Sequence, residues 1–176
     1  MPVPVSCSNS ADMKKILLLT LLFAVAASSF AQKQKVNVNR HGEITVGNQV
    51  IAYIEKVGCK MLSSDCQFFI TDENDNLLIA VTTQSFRDKD RMMPNHPESG
   101  TVNYYVFAFK GFDTTAEIEI DGFPKEETIA ETIARWRLIK GKRLDPEAVK
   151  LFVSSYGTRF SDKEIRQTLS GFLLKK

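Results

Sequence analysis

The period of the hydrophobic pattern changes once along this chain, and that change constrains the fold more than any other feature. From Lys35 to Asp121 apolar residues recur mostly at every second position, which is typical of β-strands. From Pro124 onwards they recur at three- and four-residue spacing, which is typical of helices. Strands and helices in separate blocks predict an α+β fold rather than an alternating α/β fold.

The first block divides into about seven strands joined by short turns. Short spacers favour antiparallel neighbours, because parallel strands need a long crossover connection. Thr101–Phe109 is apolar on both faces, which predicts a central strand covered on both sides. Thr115–Asp121 alternates cleanly, so we expect Glu117 and Glu119 to point into solvent. The block as a whole predicts a curved antiparallel β-meander.

Three C-terminal helices are predicted after the strands. The first has Pro124 in its opening turn, and the second has Asp145 as its N-cap. A capping box beginning at Ser161 opens the third, with Ile165 and Leu169 as its buried stripe. We expect the helices to pack on the sheet and cover its concave inner face. The prediction is therefore one α+β domain, with strands at about 35–121 and helices at about 124–174.

The segment Met13–Ala31 reads as a secretory signal peptide. Two lysines precede an apolar run at 16–27, and an A-x-A-like site follows at 29–31. Residues 1–12 lack the order of an export signal, so we expect them to be an over-extended start and the mature domain to span 32–176. The run is too short to cross a bilayer comfortably and no second one follows, which predicts no stable membrane span after cleavage. We therefore expect an exported protein, periplasmic or secreted.

The charge balance argues against a nucleic-acid partner. The chain has 23 basic and 21 acidic side chains, a net charge of +2. Such a balance gives no reason to expect a strongly charged partner of any kind.

Two cysteines, Cys59 and Cys66, lie within the expected mature domain. An oxidising compartment permits a disulfide between them, which would close a loop of eight residues. The alternative is two ordinary thiols, with Cys66 in the core as a small apolar residue. Sequence spacing alone does not decide between these alternatives.

The stretch 84–100 is the longest irregular segment between strands, and loops of that length often carry function. We interpret it as a protein-contact loop. Its candidate contact residues are Arg91, Met92, Met93, Pro94 and His96. One alternative is a copper site, because Met92, Met93 and His96 are soft-sulfur and imidazole ligands within five residues. Another is that the methionines fill gaps against the sheet.

Aromatic residues concentrate on one predicted strand. Tyr105, Phe107 and Phe109 share a face, where they either fill the core or line a cavity for a small apolar ligand. The sequence therefore leaves two kinds of partner open, a protein or a small apolar ligand.

No catalytic motif and no cofactor motif is recognisable. The chain lacks a G-x-S-x-G elbow, an H-E-x-x-H helix and a glycine-rich phosphate loop. The interpretation that remains is an exported small binding or interaction domain of the cell envelope or medium. The alternatives are a hydrolase-like extracytoplasmic enzyme using Cys59 with His41 or His96, and a metal-handling protein using the 84–100 loop.

Overall fold

The computed structural model describes residues 35–59 and 66–173; of residues 97, 98 and 168–173 it describes the backbone alone. The predicted signal peptide at 13–31 and the segment 1–12 lie outside the described residues. No helix within the described part of the chain is both long enough and apolar enough to cross a membrane.

Seven strands form one curled antiparallel sheet, a half-barrel in which each strand pairs with its neighbour in the sequence. The strands are β1 (Val36–Val38), β2 (Glu43–Val46), β3 (Gln49–Val57), β4 (Gln67–Thr71), β5 (Leu77–Arg87), β6 (Thr101–Phe109) and β7 (Thr115–Glu119). The predicted meander is therefore confirmed. Short turns made this order the accessible one, because each strand can fold back directly onto the one before it.

The main core lies on the inner face of the sheet. Rows of opposed residues cross the strands there, one of them formed by Phe68, Val81, Phe107 and Ala116, all of which are buried. On β6 the alternate residues Tyr104 and Val106 point to the outer face and join a second, smaller cluster. The interior strand β6 is thus covered on both faces over Val102–Val106, as its sequence predicts, whereas Ala108 on the outer face is exposed.

Three helices follow the sheet, as expected. They are α1 (Glu126–Trp136), α2 (Pro146–Tyr156) and α3 (Arg159–Leu173), with a short hairpin of β8 (Ile139–Lys140) and β9 (Arg143–Leu144) between the first two. Asp145 is the N-cap of α2, and its Oδ1 accepts from the N–H groups of Glu147 and Ala148 at 3.1 and 3.3 Å. That N-cap prediction is confirmed.

The predicted start of α1 was wrong by two residues. Pro124 lies before the helix, and Lys125 takes the extended N-cap conformation. The Lys125 N–H donates to the hydroxyl of Tyr105 at 2.9 Å, so a contact with the sheet determines where this helix begins.

The α2–α3 segment passes the free edge of β7 and places its two helices on opposite faces of the sheet. On the inner face, Phe152 of α2 packs against Phe107 at a ring-centroid distance of 5.3 Å. At the edge, the Glu117 N–H donates to the Gly157 carbonyl at 2.9 Å. On the outer face, Phe160 of α3 packs against Tyr104 at 5.2 Å. The expectation that all three helices cover the inner face is therefore wrong for α3.

The predicted capping box of α3 was also wrong, and so was the burial expected for Ile165. The helix begins at Arg159, so Ser161 lies inside it. Ile165 is 57% exposed, and the side chain of Leu169 lies outside the described residues. Besides Phe160, the described contacts of α3 are polar: Glu117 of β7 accepts from its first turn, and Asp88, which follows β5, accepts from Lys163 and Gln167. An apolar periodicity could not reveal such an interface.

Candidate functional site at the loop end of the sheet

The segment between β5 and β6, here called the 88–100 loop, is an ordered structure held by hydrogen bonds. Strand β5 extends to Arg87, so the loop is shorter than the stretch expected from the sequence. Two 3-10 turns, Lys89–Arg91 and Pro97–Gly100, flank its tip. The Asp88 N–H donates to the Gly100 carbonyl at 2.8 Å and closes the base of the loop.

Asp88 joins this loop to α3. Its side chain is 1% exposed, and its carboxylate accepts from Lys163 Nζ at 2.8 Å and from Gln167 Nε2 at 3.0 Å. It also accepts from the Asp90 N–H at 3.1 Å, and Arg91 Nε lies 3.3 Å from it. Burial by itself raises the pKa of this carboxyl, but these hydrogen bonds outweigh it and hold the pKa below its ordinary value.

A second connection runs from the loop to β7. The guanidinium of Arg91 makes a bidentate ion pair with Glu119, with Nη2 3.1 Å from Oε2. This hydrogen bonding lowers the pKa of Glu119 and raises that of Arg91. The strand pattern suggests that Glu119 is simply solvated, but in the structure its carboxylate binds Arg91. The partner that binds it comes from a distant part of the sequence.

The tip of the loop is a tight turn over Met93–His96. The His96 N–H donates to the Met93 carbonyl at 3.1 Å, which closes the turn. The hydroxyl of Ser99 accepts from the Met93 N–H at 2.9 Å and donates to the His96 carbonyl at 2.6 Å. Met93 is 60% exposed, and Pro94 and Asn95 are exposed beside it. The loop therefore presents an apolar side chain on a backbone that its own hydrogen bonds support.

The two methionines occupy different environments. Met92 packs against Gly100: a Cβ added there would lie 2.5 Å from Met92 Cγ and 2.7 Å from the Asp88 carbonyl oxygen. Met93, by contrast, stands opposite His96 in a single bridge at the tip. Among the described residues, no group of three or more histidine, cysteine, aspartate or glutamate side chains is placed to hold a metal ion. The pairing of Met93 with His96 is a backbone contact, so the copper site considered from the sequence stays a prediction.

Glu117 is the second buried carboxylate of this region, and the expectation that it points into solvent was wrong. Its side chain is 1% exposed because α3 covers the outer face of β7. Its Oε2 accepts from the N–H groups of Phe160 and Ser161 at 2.7 and 3.1 Å, and its Oε1 accepts from the Ser161 hydroxyl. A carboxylate at the start of a helix satisfies N–H groups that the helix itself leaves unpaired. Glu117 therefore holds the first turn of α3.

The aromatic residues considered for ligand lining are part of the packed core. Tyr105, Phe107 and Phe109 are each at most 3% exposed. Phe152 packs edge-on against both phenylalanines, and Phe68 packs edge-on against Tyr105. These contacts correspond to the core interpretation of the three rings.

The cysteines form the disulfide Cys59–Cys66, with Cα atoms 4.5 Å apart. While that bond is closed, Cys59 has no thiol with which to act beside a histidine. His41 lies elsewhere, in the β1–β2 turn, where it borders a polar concavity of about 600 Å³ with Tyr53 and Glu126. The structure brings neither histidine into a described contact with the disulfide.

The sequence did not single out an exposed aromatic residue at this end of the sheet. Phe123 is 83% exposed and follows the end of β7. Because neighbouring strands are antiparallel, the end of β7 lies at the same end of the sheet as the 88–100 loop. The sequence did carry a signal: an aromatic ring between Gly122 and Pro124, in a turn-forming stretch, has little to pack against locally.

Comparison with known proteins assigns no family to this site. No family model, no curated protein sequence and no solved structure matches the chain. Inference about its function therefore depends on its own residues.

Proposed function

We propose that this chain is an exported binding domain that contacts a protein partner through the loop end of the sheet. The contact surface consists of the tight turn Met93–His96 and of Phe123, which follows β7 at the same end of the sheet. The observation that carries the proposal is the environment of Met93, an apolar side chain held in solvent on a turn that internal hydrogen bonds support.

Preorganisation of this turn favours binding. A loop that must become ordered on association loses conformational entropy, and that loss subtracts from the affinity. Here Ser99 supports the turn from below, and Asp88 connects its base to α3. The 88–100 loop therefore presents Met93 at a smaller entropic cost than an unsupported loop of equal length.

The composition of the surface indicates the chemistry of the partner. Methionine, aromatic residues and arginine are enriched in protein–protein interfaces. Met93 and Phe123 are 60% and 83% exposed, and Arg91 lies at the base of the same loop with its charge matched by Glu119. Two exposed apolar side chains at the same end of the sheet as this ion pair suit a partner surface with apolar pockets and a polar rim.

Export is the second part of the proposal. It is supported by the signal-peptide pattern of Met13–Ala31 and by the disulfide, since such bonds persist in oxidising compartments. The protein would then act in the periplasm or in the medium. An intact-mass measurement on protein recovered from its native host tests this part. A mass equal to that of residues 32–176 less two hydrogens, which the disulfide removes, supports export. The mass of the uncleaved, reduced chain contradicts it.

Site-specific photocrosslinking in the native host tests the contact surface. A photoreactive amino acid replaces Asn95 at the tip of the turn, and a matched probe replaces Asn74 in the exposed β4–β5 turn. We expect a discrete protein adduct from position 95 and none of the same mass from position 74. The adduct should form again with the purified partner, once mass spectrometry has identified it.

A pair of variants links that adduct to the apolar side chains. The double variant Met93→Ser/Phe123→Ser should abolish the adduct from position 95. Leu151→Ser is the matched control, because Leu151 is 62% exposed on α2 and lies outside the proposed surface. Equal adducts from positions 95 and 74, no adduct from position 95, or equal loss in both sets of variants would contradict the proposal.

A further inference from the structure

The buried carboxylate of Asp88 binds both α3 and the backbone of the 88–100 loop. Asp88 Oδ1 accepts from Gln167 of α3 and from the Asp90 N–H of the loop. Gln167 in turn accepts from the Lys89 N–H at 3.4 Å, and Lys163 lies 2.8 Å from Asp90 Oδ2. The loop and the helix therefore supply hydrogen-bond partners to each other, and a movement of either one changes the hydrogen bonds of both.

The described contacts that hold α3 to the sheet are mainly polar. Phe160 is its one buried apolar side chain among the described residues, and it packs on Tyr104. The other attachments are the capping of the first turn by Glu117 and the binding of Lys163 and Gln167 by Asp88. A segment with few buried apolar contacts, as described here for residues 159–167, opens at a lower free-energy cost than the core of a domain.

The connection between α2 and α3 permits such an opening. Only Gly157 and Thr158 separate the two helices. Gly157 has φ 55° and ψ −153°, a conformation essentially reserved for glycine. A rotation at this residue would release α3 and leave α2 packed on the inner face through Phe152.

We propose that α3 is a detachable clamp that sets the conformation of the Met93–His96 turn, so that release of α3 disorders the binding surface. The inference rests on the proposed function in one respect, that the turn is the binding surface. The coupling runs from Glu117 through α3 to Asp88 and then into the loop. It is reciprocal, because a partner that stabilises the ordered turn also stabilises the docked helix.

Native-state hydrogen exchange on the full chain, without any partner, tests the coupling. The variant Glu117→Gln alters α3 directly but not the loop, since every hydrogen bond described for that carboxylate goes to Phe160 or Ser161. We expect exchange in α3 to accelerate, and exchange of the Asp90, Arg91, Met92 and Met93 amides to accelerate with it. The expected change is about tenfold or more, the factor that one hydrogen bond to a charged group contributes to an equilibrium.

Two further variants separate local release from general destabilisation. Ile70→Val weakens the inner core without contacting α3. Hydrogen exchange in the 88–100 loop should therefore accelerate no more than exchange in β4 and β5. Ser161→Ala removes a single bond to Glu117 and replaces Glu117→Gln if that variant does not fold. Faster exchange in α3 with no change in the loop, or equal acceleration in the Ile70→Val control, would overturn the proposal.

The outcome does not depend on the photocrosslinking result. If no partner binds at position 95 but exchange in α3 and in the loop rises together, the clamp stands and the proposed binding surface falls. If a partner binds there but exchange in the loop does not change when α3 is released, the binding surface stands and the clamp falls.

Discussion

The carboxylate of Glu117 accepts a hydrogen bond of 2.7 Å from the Phe160 N–H, which joins β7 to the first turn of a helix 43 residues later. The same residue uses its own N–H to bind the Gly157 carbonyl. One residue thus holds the α2–α3 junction with its backbone and α3 with its side chain. This arrangement places the last helix on the outer face of the sheet.

Glu117→Gln should lower the free energy of unfolding by about 2 kcal/mol, the contribution of hydrogen bonds to a buried charged group. An amide presents an N–H₂ group to backbone donors that need an acceptor, so part of the capping is lost. Chemical denaturation measures the change. The control is Glu73→Gln, which removes an exposed ion pair with Lys142 and should cost less than about 1 kcal/mol. Equal costs for the two variants would argue against a buried capping role.

Phe160→Ala and Ile165→Ala test which side of α3 faces the sheet. Phe160 is buried against Tyr104, so its truncation should cost about 3 kcal/mol. Ile165 is mostly exposed, and its truncation should change the stability by no more than about 0.5 kcal/mol. Thermal unfolding of both variants decides the matter. A larger loss for Ile165→Ala would favour the stripe expected from the sequence.

Asp88→Asn should flatten the acid limb of the stability curve. The pKa of Asp88 is lower in the folded protein than its ordinary value, so its stabilisation is complete above that ordinary value and is lost as the pH falls through the folded pKa. Wild-type stability should therefore decline more steeply below about pH 4 than that of the variant. Denaturation midpoints measured from pH 7 to pH 2 test this. Asp113→Asn, at an exposed turn, controls for the loss of one carboxylate; a variant curve parallel to wild type would contradict the prediction.

Reduction of Cys59–Cys66 should lower stability by about 2.5 kcal/mol, the chain-entropy value for an eight-residue loop. The Cys66 end is also anchored by Thr83, whose hydroxyl accepts from the Cys66 N–H at 2.7 Å. Melting temperatures with and without a reductant measure the effect. The double variant Cys59→Ser/Cys66→Ser should have the melting temperature of the reduced wild-type protein, and the reductant should not change it. A reductant response in that variant would assign the effect to something other than the disulfide.

Gly100→Ala should distort the 88–100 loop for steric reasons. The added Cβ meets Met92 Cγ at 2.5 Å and the Asp88 carbonyl oxygen at 2.7 Å. The methionine can move, but the backbone oxygen cannot move without the base of the loop. Hydrogen exchange should therefore rise in the loop, with a stability cost of about 1–3 kcal/mol. The double variant Met92→Ala/Gly100→Ala should not restore the wild-type rates. Full restoration would assign the clash to Met92 alone.

The order of elements could be predicted from the sequence because it depends on local rules. Alternating apolar residues with short turns allow little except an antiparallel meander, and the N-cap at Asp145 is a contact within one helical turn. The two apolar faces of Thr101–Phe109 likewise announced a strand covered on both sides. Each of these features is encoded by neighbours along the chain.

The candidate site could be predicted only in part. Its place in the chain followed from the length of the loop, whereas its structure depends on contacts between distant residues. Asp88 meets Lys163 and Gln167 across more than seventy residues, and Arg91 meets Glu119 across twenty-eight. Hydrophobic periodicity contains no information on such polar pairings.

The sequence by itself determined the seven strands of the sheet, the three helices and their succession, because backbone propensity and apolar period act over a few residues. Only the tertiary structure decided that α3 crosses to the outer face, that Glu117 is buried and that Ile165 is exposed. The physical reason is that a charged side chain is solvated by default and becomes buried only where distant donors compensate its desolvation. Here those donors are the N–H groups of Phe160 and Ser161, which the fold alone brings to β7.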